Sequence, residues 1–186
     1  LRHSSAASDV YKRQIKNNGQ GAPLTPIFHY LLSKNINNQN QIPFPISFIN
    51  IGGISNITKI LRANEKIEEN IEAFDSGPGN CLIDEWMRMN SKKQFDNDGL
   101  IAQSGKIDQL ILNQAIDNFE IKSYDKSLDI KDFDTSFARG LSLEDGCATI
   151  TNFTAYLIAK GIKYSNNDKS KNCLLYTSPS PRDLMR

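Results

Sequence analysis

Two glycine turns, each placed after an apolar segment typical of a strand, constrain this chain more than any other feature. The first lies in Phe48–Thr58, where Gly52 and Gly53 interrupt the apolar run, and the second lies in Phe74–Asn80. Glycine lets the backbone approach a ligand closely, and successive amide groups of such a turn can bind one anion. Two of these turns at neighbouring strand ends predict a phosphate cradle in an α/β domain.

The second turn also carries a carboxylate, Asp75, at the predicted end of a strand and shortly before a helix. A carboxylate in that place can act as a general base toward a hydroxyl or a water, and the helix N-terminus favours a phosphate. The alternative is that Asp75 only caps the helix. Because Pro78 stands between Asp75 and the helix, we favour the catalytic interpretation.

The first turn has side-chain donors beside it, since Ser55 and Asn56 follow the glycines. Gly-Gly is equally common in hairpin turns that bind nothing, so that alternative stays open. A further loop, Gly19–Pro23, could contact a ligand through Gln20 and its bare backbone, or it could be a plain turn.

Composition excludes several classes of protein. Of the 186 residues, 39% are hydrophobic and 23% are charged, and the net charge is +1 without clusters of one sign. We therefore expect neither nucleic acid nor a membrane as a partner, and no apolar run reaches the roughly 20 residues that cross a bilayer. The three scattered cysteines lack metal-ligand spacing and favour a reducing, cytoplasmic location, so we predict no bound metal among the site residues.

Hydrophobic periodicity and caps predict an α/β domain with flanking helices. His29 is predicted at the surface or boundary of the first helix, and Gly161 is predicted to stop the last one. The predicted strands cover residues 46–50, 54–61 and 71–75, and the predicted helices cover residues 26–33, 80–89, 107–118 and 142–160.

The two ends of the chain differ from the rest in composition. Residues 1–14 are polar and aperiodic, and residues 173–186 are rich in Ser and Pro. Both ends resemble translated adaptor or vector sequence, so we expect non-native or disordered tails with no place in a packed core.

Taken together and in order, the motifs resemble those of the anhydro-N-acetylmuramic acid kinases. The resemblance covers nearly all of residues 15–172. It is carried by five segments, which are Gly19–Leu24, Asn50–Thr58, Phe74–Asn80, Lys126–Asp129 and Leu141–Thr149.

The resemblance implies an α/β fold made of actin-like, ribonuclease-H-like lobes with a mixed sheet, and with ATP and a sugar in the cleft between them. Residues 15–45 would then end the first lobe and connect the lobes, and residues 46–172 would form an incomplete second lobe. The implied activity opens the 1,6-anhydro ring of anhydro-N-acetylmuramic acid and phosphorylates O6 at the expense of ATP with Mg²⁺. The product would be N-acetylmuramic acid 6-phosphate, formed in the recycling of peptidoglycan.

On that resemblance Asp75 corresponds to the catalytic base that activates the attacking water, and Asn50 agrees with the residue that opens the family's second phosphate motif. The remaining site residues are expectations of the same kind. We assign ATP and phosphate binding to Asn50, Gly52, Gly53, Ser55, Asn56, Gly77 and Gly79, and sugar binding to Gln20, Gly21 and Asn80.

Two motifs of the family do not occur in this sequence. They are its N-terminal phosphate loop, expected upstream of residue 15, and its glycine-rich adenosine segment, expected after residue 172. We therefore expect the chain alone to be inactive. A non-catalytic actin-like nucleotide-binding module and a plain α/β interaction domain are the alternatives, and a homodimer is left open.

Overall fold

The computed structural model describes residues 25–40, 42–62, 67, 69–119, 124, 127–165 and 172–176. These residues contain nine helices and strands, and 3₁₀ turns at Asn97–Gly99, Ile130–Asp132 and Ser136–Ala138. The bounds are α1 Thr25–Asn40, β1 Ile46–Ile51, β2 Ile54–Ile60, β3 Ile71–Pro78, α2 Cys81–Asn90, α3 Leu100–Ser104, α4 Gln109–Asn118, α5 Leu143–Ser165 and β4 Asn172–Tyr176.

The four described strands form one mixed sheet in the order β3-β2-β1-β4. β1 pairs antiparallel with β2 and parallel with β4, and β2 pairs antiparallel with β3. The predicted fold class, an α/β domain with a mixed sheet and flanking helices, is therefore confirmed.

Helices cover both faces of this sheet. On one face Tyr30 of α1 packs on Ile46 and Phe48 of β1, and on the other face Ile158 of α5 packs on Ile49. Side chains alternate between the two faces along a strand, so consecutive residues of a strand contact different helices. We call these the α1 face and the α5 face. Burial of each such large apolar side chain contributes about 1.5–3 kcal/mol.

The largest core cluster lies between α5 and the helices that precede it. Trp86 of α2 packs there, and its indole Nε1 donates to the Leu143 carbonyl at 2.9 Å. Leu112 of α4 and Phe153 of α5 belong to the same cluster. Within the described ranges, we find no helix with the length and apolarity that a bilayer crossing requires.

The first helix is longer than predicted. α1 continues to Asn40, although its asparagine-rich second half has low helix propensity and was predicted to be a loop. Leu32 and Ile36 pack against the cluster on the α1 face, so tertiary contacts extend the helix. His29 is fully buried, and its ring stacks on Phe48 at 4.7 Å between centroids, so its predicted place at the helix surface or boundary is wrong.

Gly161 does not end the last helix, because α5 continues to Ser165. A Cβ on Gly161 would stand 2.7 Å from Ser76 Cβ and 3.0 Å from Ile57 Cδ1. Gly161 therefore lets α5 lie directly on the sheet, and the prediction of a helix stop is wrong.

The chain remains part of the sheet beyond residue 172. Residues 172–176 form β4, which pairs with β1 from Ile46↔Asn172 to Asn50↔Tyr176, and Leu174 packs against the α1-face cluster. The expectation that residues from 173 onward have no place in the core is thus corrected for 173–176. Residues 1–14 and 177–186 lie outside the described residues.

Candidate active site

The two glycine turns meet, as the sequence predicted, but they bind each other through their backbones. The Gly79 N–H donates to the Gly53 carbonyl at 2.8 Å, and the Asn80 N–H donates to the Gly52 carbonyl at 2.7 Å. The Cys81 N–H also donates to the Gly53 carbonyl, at 3.2 Å. A Cβ on Gly79 would overlap the Gly52 carbonyl oxygen, so only glycine fits there.

These contacts change which amides are available to a ligand. The N–H groups of Gly79, Asn80 and Cys81 already have protein acceptors, so the expected anion site at the start of α2 has to be corrected for these three groups. Among the described residues, no turn or loop carbonyl accepts from the Gly52 or Gly53 N–H. An anion at the hairpin between β1 and β2 would use the Gly52 and Gly53 amides.

Asp75 lies inside β3 and not at its end. The strand continues to Pro78, which an edge strand tolerates because the missing N–H costs no ladder bond there. Asp75 pairs with Asn56 of β2, which in turn pairs with Asn50 of β1. Paired residues lie on the same side of a sheet, so these three side chains form one row on the α1 face.

The row is compact enough for a single small ligand to contact all of it. Directly paired residues of antiparallel strands have Cα atoms about 4.5–5.5 Å apart, so the row spans about 10 Å. Asn50, Asn56 and Asp75 are all half-buried. A carboxylate at one end of a row with two amide side chains offers one acceptor or base together with amide donors and acceptors for a polar ligand.

The carboxylate of Asp75 is held by a backbone amide. The Leu128 N–H donates to Asp75 Oδ2 at 2.9 Å. Burial raises the pKa of Asp75, and the Leu128 N–H opposes that rise. Because this carboxylate does not accept from α2, whose N-cap residue is Asn80, the interpretation of Asp75 as a helix cap is excluded.

Asp75 and the glycine hairpin lie near each other, because one segment touches both. Leu128 contacts Asp75, and the side chain of Ile130 ends 3.5 Å from the place of a Cβ on Gly53. Two residues of extended chain span at most about 7 Å. The carboxylate is therefore not remote from the hairpin.

Ser55 and Gly77 take structural roles on the α5 face, and their expected phosphate contacts have to be corrected. Ser55 Oγ lies 2.9 Å from Ser76 Oγ and donates to the Gly77 carbonyl at 3.0 Å, and both serines are fully buried. Ser76 is the extra residue of a β-bulge, because Ser55 pairs with Gly77 and Asn56 pairs with Asp75. Gly77 has φ +144° and lies against Leu157 of α5, where no other residue fits easily.

Of the three residues that we assigned to sugar binding, the structure describes only Asn80. Asn80 donates from Nδ2 to the Ile51 carbonyl at 3.3 Å and lines a cavity of about 530 Å³ beside α2, α3 and α5. Asp75 does not line that cavity. Gln20 and Gly21 lie outside the described residues.

The described residues offer little to metal or thiol chemistry. They contain no group of three or more His, Cys, Asp or Glu side chains arranged to hold a metal ion. Asp96 caps α3, where its carboxylate accepts from the Ile101 and Ala102 N–H groups at 2.9 Å. Burial raises the pKa of the Cys81 thiol, which disfavours the thiolate form.

The contact that the sequence did not reveal is the one from Leu128. Lys126–Asp129 is one of the segments that carry the family resemblance, but the sequence predicts no contact between this segment and Asp75. A backbone donor leaves no mark in a side-chain pattern, and the apolar Leu128 carried no signal of a polar role.

Fold and site together define a mixed α/β domain in which a half-buried aspartate and a glycine hairpin lie at one end of the sheet. The family model described as anhydro-N-acetylmuramic acid kinase matches residues 4–176. An anhydro-N-acetylmuramic acid kinase of Pelagibacter ubique is 48% identical over 167 residues, which are 88% of this chain and 43% of the relative. An anhydro-N-acetylmuramic acid kinase of Rhizorhabdus wittichii is 36% identical over 84% of this chain, and one of Rhodopseudomonas palustris is 40% identical over 81% of this chain.

The chain belongs to the anhydro-N-acetylmuramic acid kinase family, a family of sugar kinases within the actin-like ATPases. It spans 40% and 39% of the length of the relatives from Rhizorhabdus wittichii and Rhodopseudomonas palustris. The match includes residues 4–14 and 173–176, which we had assigned to the tails.

Proposed function

We propose that this chain supplies the base and one phosphate-binding turn of an anhydro-N-acetylmuramic acid kinase. In the proposed reaction Asp75 takes a proton from a water molecule, and the water oxygen bonds to C1 of the sugar. The bond from C1 to O6 breaks, and O6 accepts the γ-phosphoryl group of ATP. The products are N-acetylmuramic acid 6-phosphate and ADP.

The observation that supports this proposal is the position of Asp75. It is a half-buried carboxylate with a raised pKa, it lies in a polar row with Asn50 and Asn56, and it is close to the Gly52-Gly53 hairpin. A base whose pKa is above the ordinary carboxylate range accepts a proton more readily at the moment of reaction. The amides of the hairpin would bind the phosphate groups.

Mg²⁺ belongs to the proposal because the charge on the β- and γ-phosphates has to be neutralised during transfer. No cluster of three ligating side chains is present in the described part of the chain, so we expect the ion to arrive with the nucleotide and to take most of its ligands from phosphate and water. Asp75 would be kept for proton transfer.

We further propose that the activity needs more chain than is present here. The chain spans 43% of the Pelagibacter ubique relative, and a sugar kinase of this class would hold its substrates between two lobes. On this proposal residues 46–172 belong to the second lobe and residues 15–45 lead into it. A cytoplasmic location and a homodimer remain proposals of the same kind.

The experiment replaces the matching 167-residue stretch of the Pelagibacter ubique relative with the residues of this chain. We expect the chimera to convert anhydro-N-acetylmuramic acid and ATP to the 6-phosphate, detected by mass spectrometry, while the isolated chain shows no turnover. The unmodified relative is the positive control.

A folded chimera that turns nothing over, beside an active control, would refute the proposed function. If that chimera still binds ATP, measured by calorimetry, the non-catalytic nucleotide-binding module becomes the better description. Robust turnover by the isolated chain would instead refute the requirement for additional chain.

A further inference from the structure

Tyr124 and residues 127–132, which together we call the strap, contact both faces of the sheet at the edge strand β3. On the α5 face, the Tyr124 ring packs against Phe74 and Tyr164, with centroids 4.9 Å and 4.2 Å away. On the α1 face, Leu128 donates its N–H to Asp75. Phe74 and Asp75 are consecutive in β3 and point to opposite faces, so Tyr124 and Leu128 contact β3 from opposite faces of the sheet.

The strap is also fixed beyond Leu128. The Asp129 N–H donates to Asp132 Oδ2 at 2.7 Å, and Asp129 Oδ1 accepts from the Lys131 N–H at 3.1 Å. These reciprocal bonds close a short 3₁₀ turn. The turn places Ile130 over Gly53 of the hairpin. The strap therefore has an anchor on each side of its contact with Asp75.

The contact with Asp75 has a direction that suits a base. The Leu128 N–H binds Oδ2, and within the described residues no donor binds Oδ1. The Leu128 N–H thus fixes one oxygen of the carboxylate. A carboxylate held by a single fixed donor loses rotational freedom without losing its second oxygen as a proton acceptor.

We propose that the strap is the positioning element of the active site, with the Leu128 amide orienting the Asp75 carboxylate and Tyr124 anchoring the strap. This inference rests on the proposed role of Asp75 as the base. Leu128 and Tyr124 are positioning residues, since neither is proposed to touch the substrate. The strap also couples the base to the hairpin, because it contacts both.

The first test measures Asp75 in the 186-residue chain itself, without any assay of activity. Carboxyl carbon NMR follows the titration of Asp75 in Leu128→Pro, which lacks the amide donor, and in Leu128→Ala, which keeps it. Because the N–H stabilises the ionised carboxylate, we expect a higher pKa of Asp75 in Leu128→Pro and an unchanged pKa in Leu128→Ala. Equal titration of Asp75 in a folded Leu128→Pro variant and in the unaltered chain would overturn the inference.

The second test uses the anchor and does not depend on a proline. Tyr124→Ala removes the ring, whereas Tyr124→Phe keeps it and loses only a hydroxyl that is buried without a partner among the described residues. We expect the Leu128 amide proton to follow the titration of Asp75 in Tyr124→Phe and in the unaltered chain, and to stop following it in Tyr124→Ala. An amide that still follows Asp75 in Tyr124→Ala would show that Tyr124 does not anchor the contact.

The third test is kinetic and is made in the chimera. We expect Leu128→Pro to lower kcat about 10- to 100-fold, to leave KM for ATP unchanged and to move the acid limb of the pH profile upward. Leu128→Ala should retain the kcat of the parent. An unchanged kcat in Leu128→Pro would overturn the positioning role, whereas unchanged turnover in Asp75→Asn would overturn the base itself and leave the NMR result standing.

Discussion

The two faces of the sheet treat neighbouring polar residues in opposite ways. On the α5 face, Ser55 and Ser76 are fully buried and bind each other, and α5 lies so close that position 161 has no room for a side chain. On the α1 face, Asn56 and Asp75 are half-buried and belong to an open row. Ser55 and Asn56 are consecutive, and so are Asp75 and Ser76.

The comparison shows that the role of each polar residue here depends on the side of the sheet that it reaches. Burial without water favours internal partners, and the Ser55 and Ser76 hydroxyls find one in each other. Partial exposure on the α1 face leaves hydrogen-bonding capacity for a ligand. We therefore expect substitutions at Asp75 to change chemistry, and those at Ser55, Ser76 and Gly161 to change stability.

Asp75→Asn should separate the two faces most clearly. We expect kcat of the chimera to fall about 10²- to 10⁴-fold, which is the usual contribution of a general base, while the melting temperature does not fall. Asp117→Asn makes the same chemical change on the exposed surface of α4 and should keep full activity. Comparable kcat values for the two variants would remove Asp75 from the chemistry.

On the α5 face, Gly161→Ala should cost about 1–3 kcal/mol of unfolding free energy, because the new methyl group would stand 2.7 Å from Ser76 Cβ. The higher helix propensity of alanine offsets part of this cost. Urea denaturation of the 186-residue chain measures the change. Lys160→Ala, at an exposed position of the same helix, is the matched control and should change stability by less than about 0.5 kcal/mol.

Ser55→Ala should cost about 1 kcal/mol, because the buried Ser76 hydroxyl keeps only its longer bond to the Ser55 carbonyl and the Gly77 carbonyl loses its side-chain donor. The double variant Ser55→Ala with Ser76→Ala should cost less than the sum of the two single variants, since it removes both members of the pair. Denaturation of all four proteins closes the cycle. Additive losses would show that the two hydroxyls do not interact.

The smallest effect that we expect is the pH dependence contributed by Asp75. Its pKa in the folded chain lies above the usual 3.8, so the folded state keeps this proton over a pH range in which the unfolded state has lost it. Stability should therefore fall as pH rises through that range, and Asp75→Asn should remove this part of the dependence. A comparison of denaturation midpoints from pH 3 upward measures it, and identical pH profiles would contradict the raised pKa.

Much of the site could be predicted because it depends on residue types that the sequence shows directly. Gly-Gly after an apolar strand, and aspartate before Ser-Gly-Pro-Gly, predicted two turns that would meet. The Gly79 and Asn80 amides do bind the Gly52 and Gly53 carbonyls, although the sequence suggested a ligand as their acceptor. Which partner a backbone amide takes depends on the distance between turns, and that distance has no sequence signal.

The remaining errors have a common cause in tertiary packing. Gly161 fits a helix stop as well as a close contact, and only the position of Ser76 decides between them. His29 was predicted at the helix surface or boundary, but its ring stacks on Phe48 in the core. The bulge at Ser76 shifts the register of β3 by one residue, so that Ser55 pairs with Gly77 while Asn56 pairs with Asp75, and no local sequence pattern predicts this shift.

Mutual bonding between the two glycine turns has a mechanical consequence. Because three amides at the start of α2 are tied to two carbonyls of the hairpin, these parts form one stiff joint. A nucleotide that displaces the hairpin would therefore also displace the N-terminus of α2. Because Trp86 of α2 packs in the core cluster against α5, the displacement would reach that cluster.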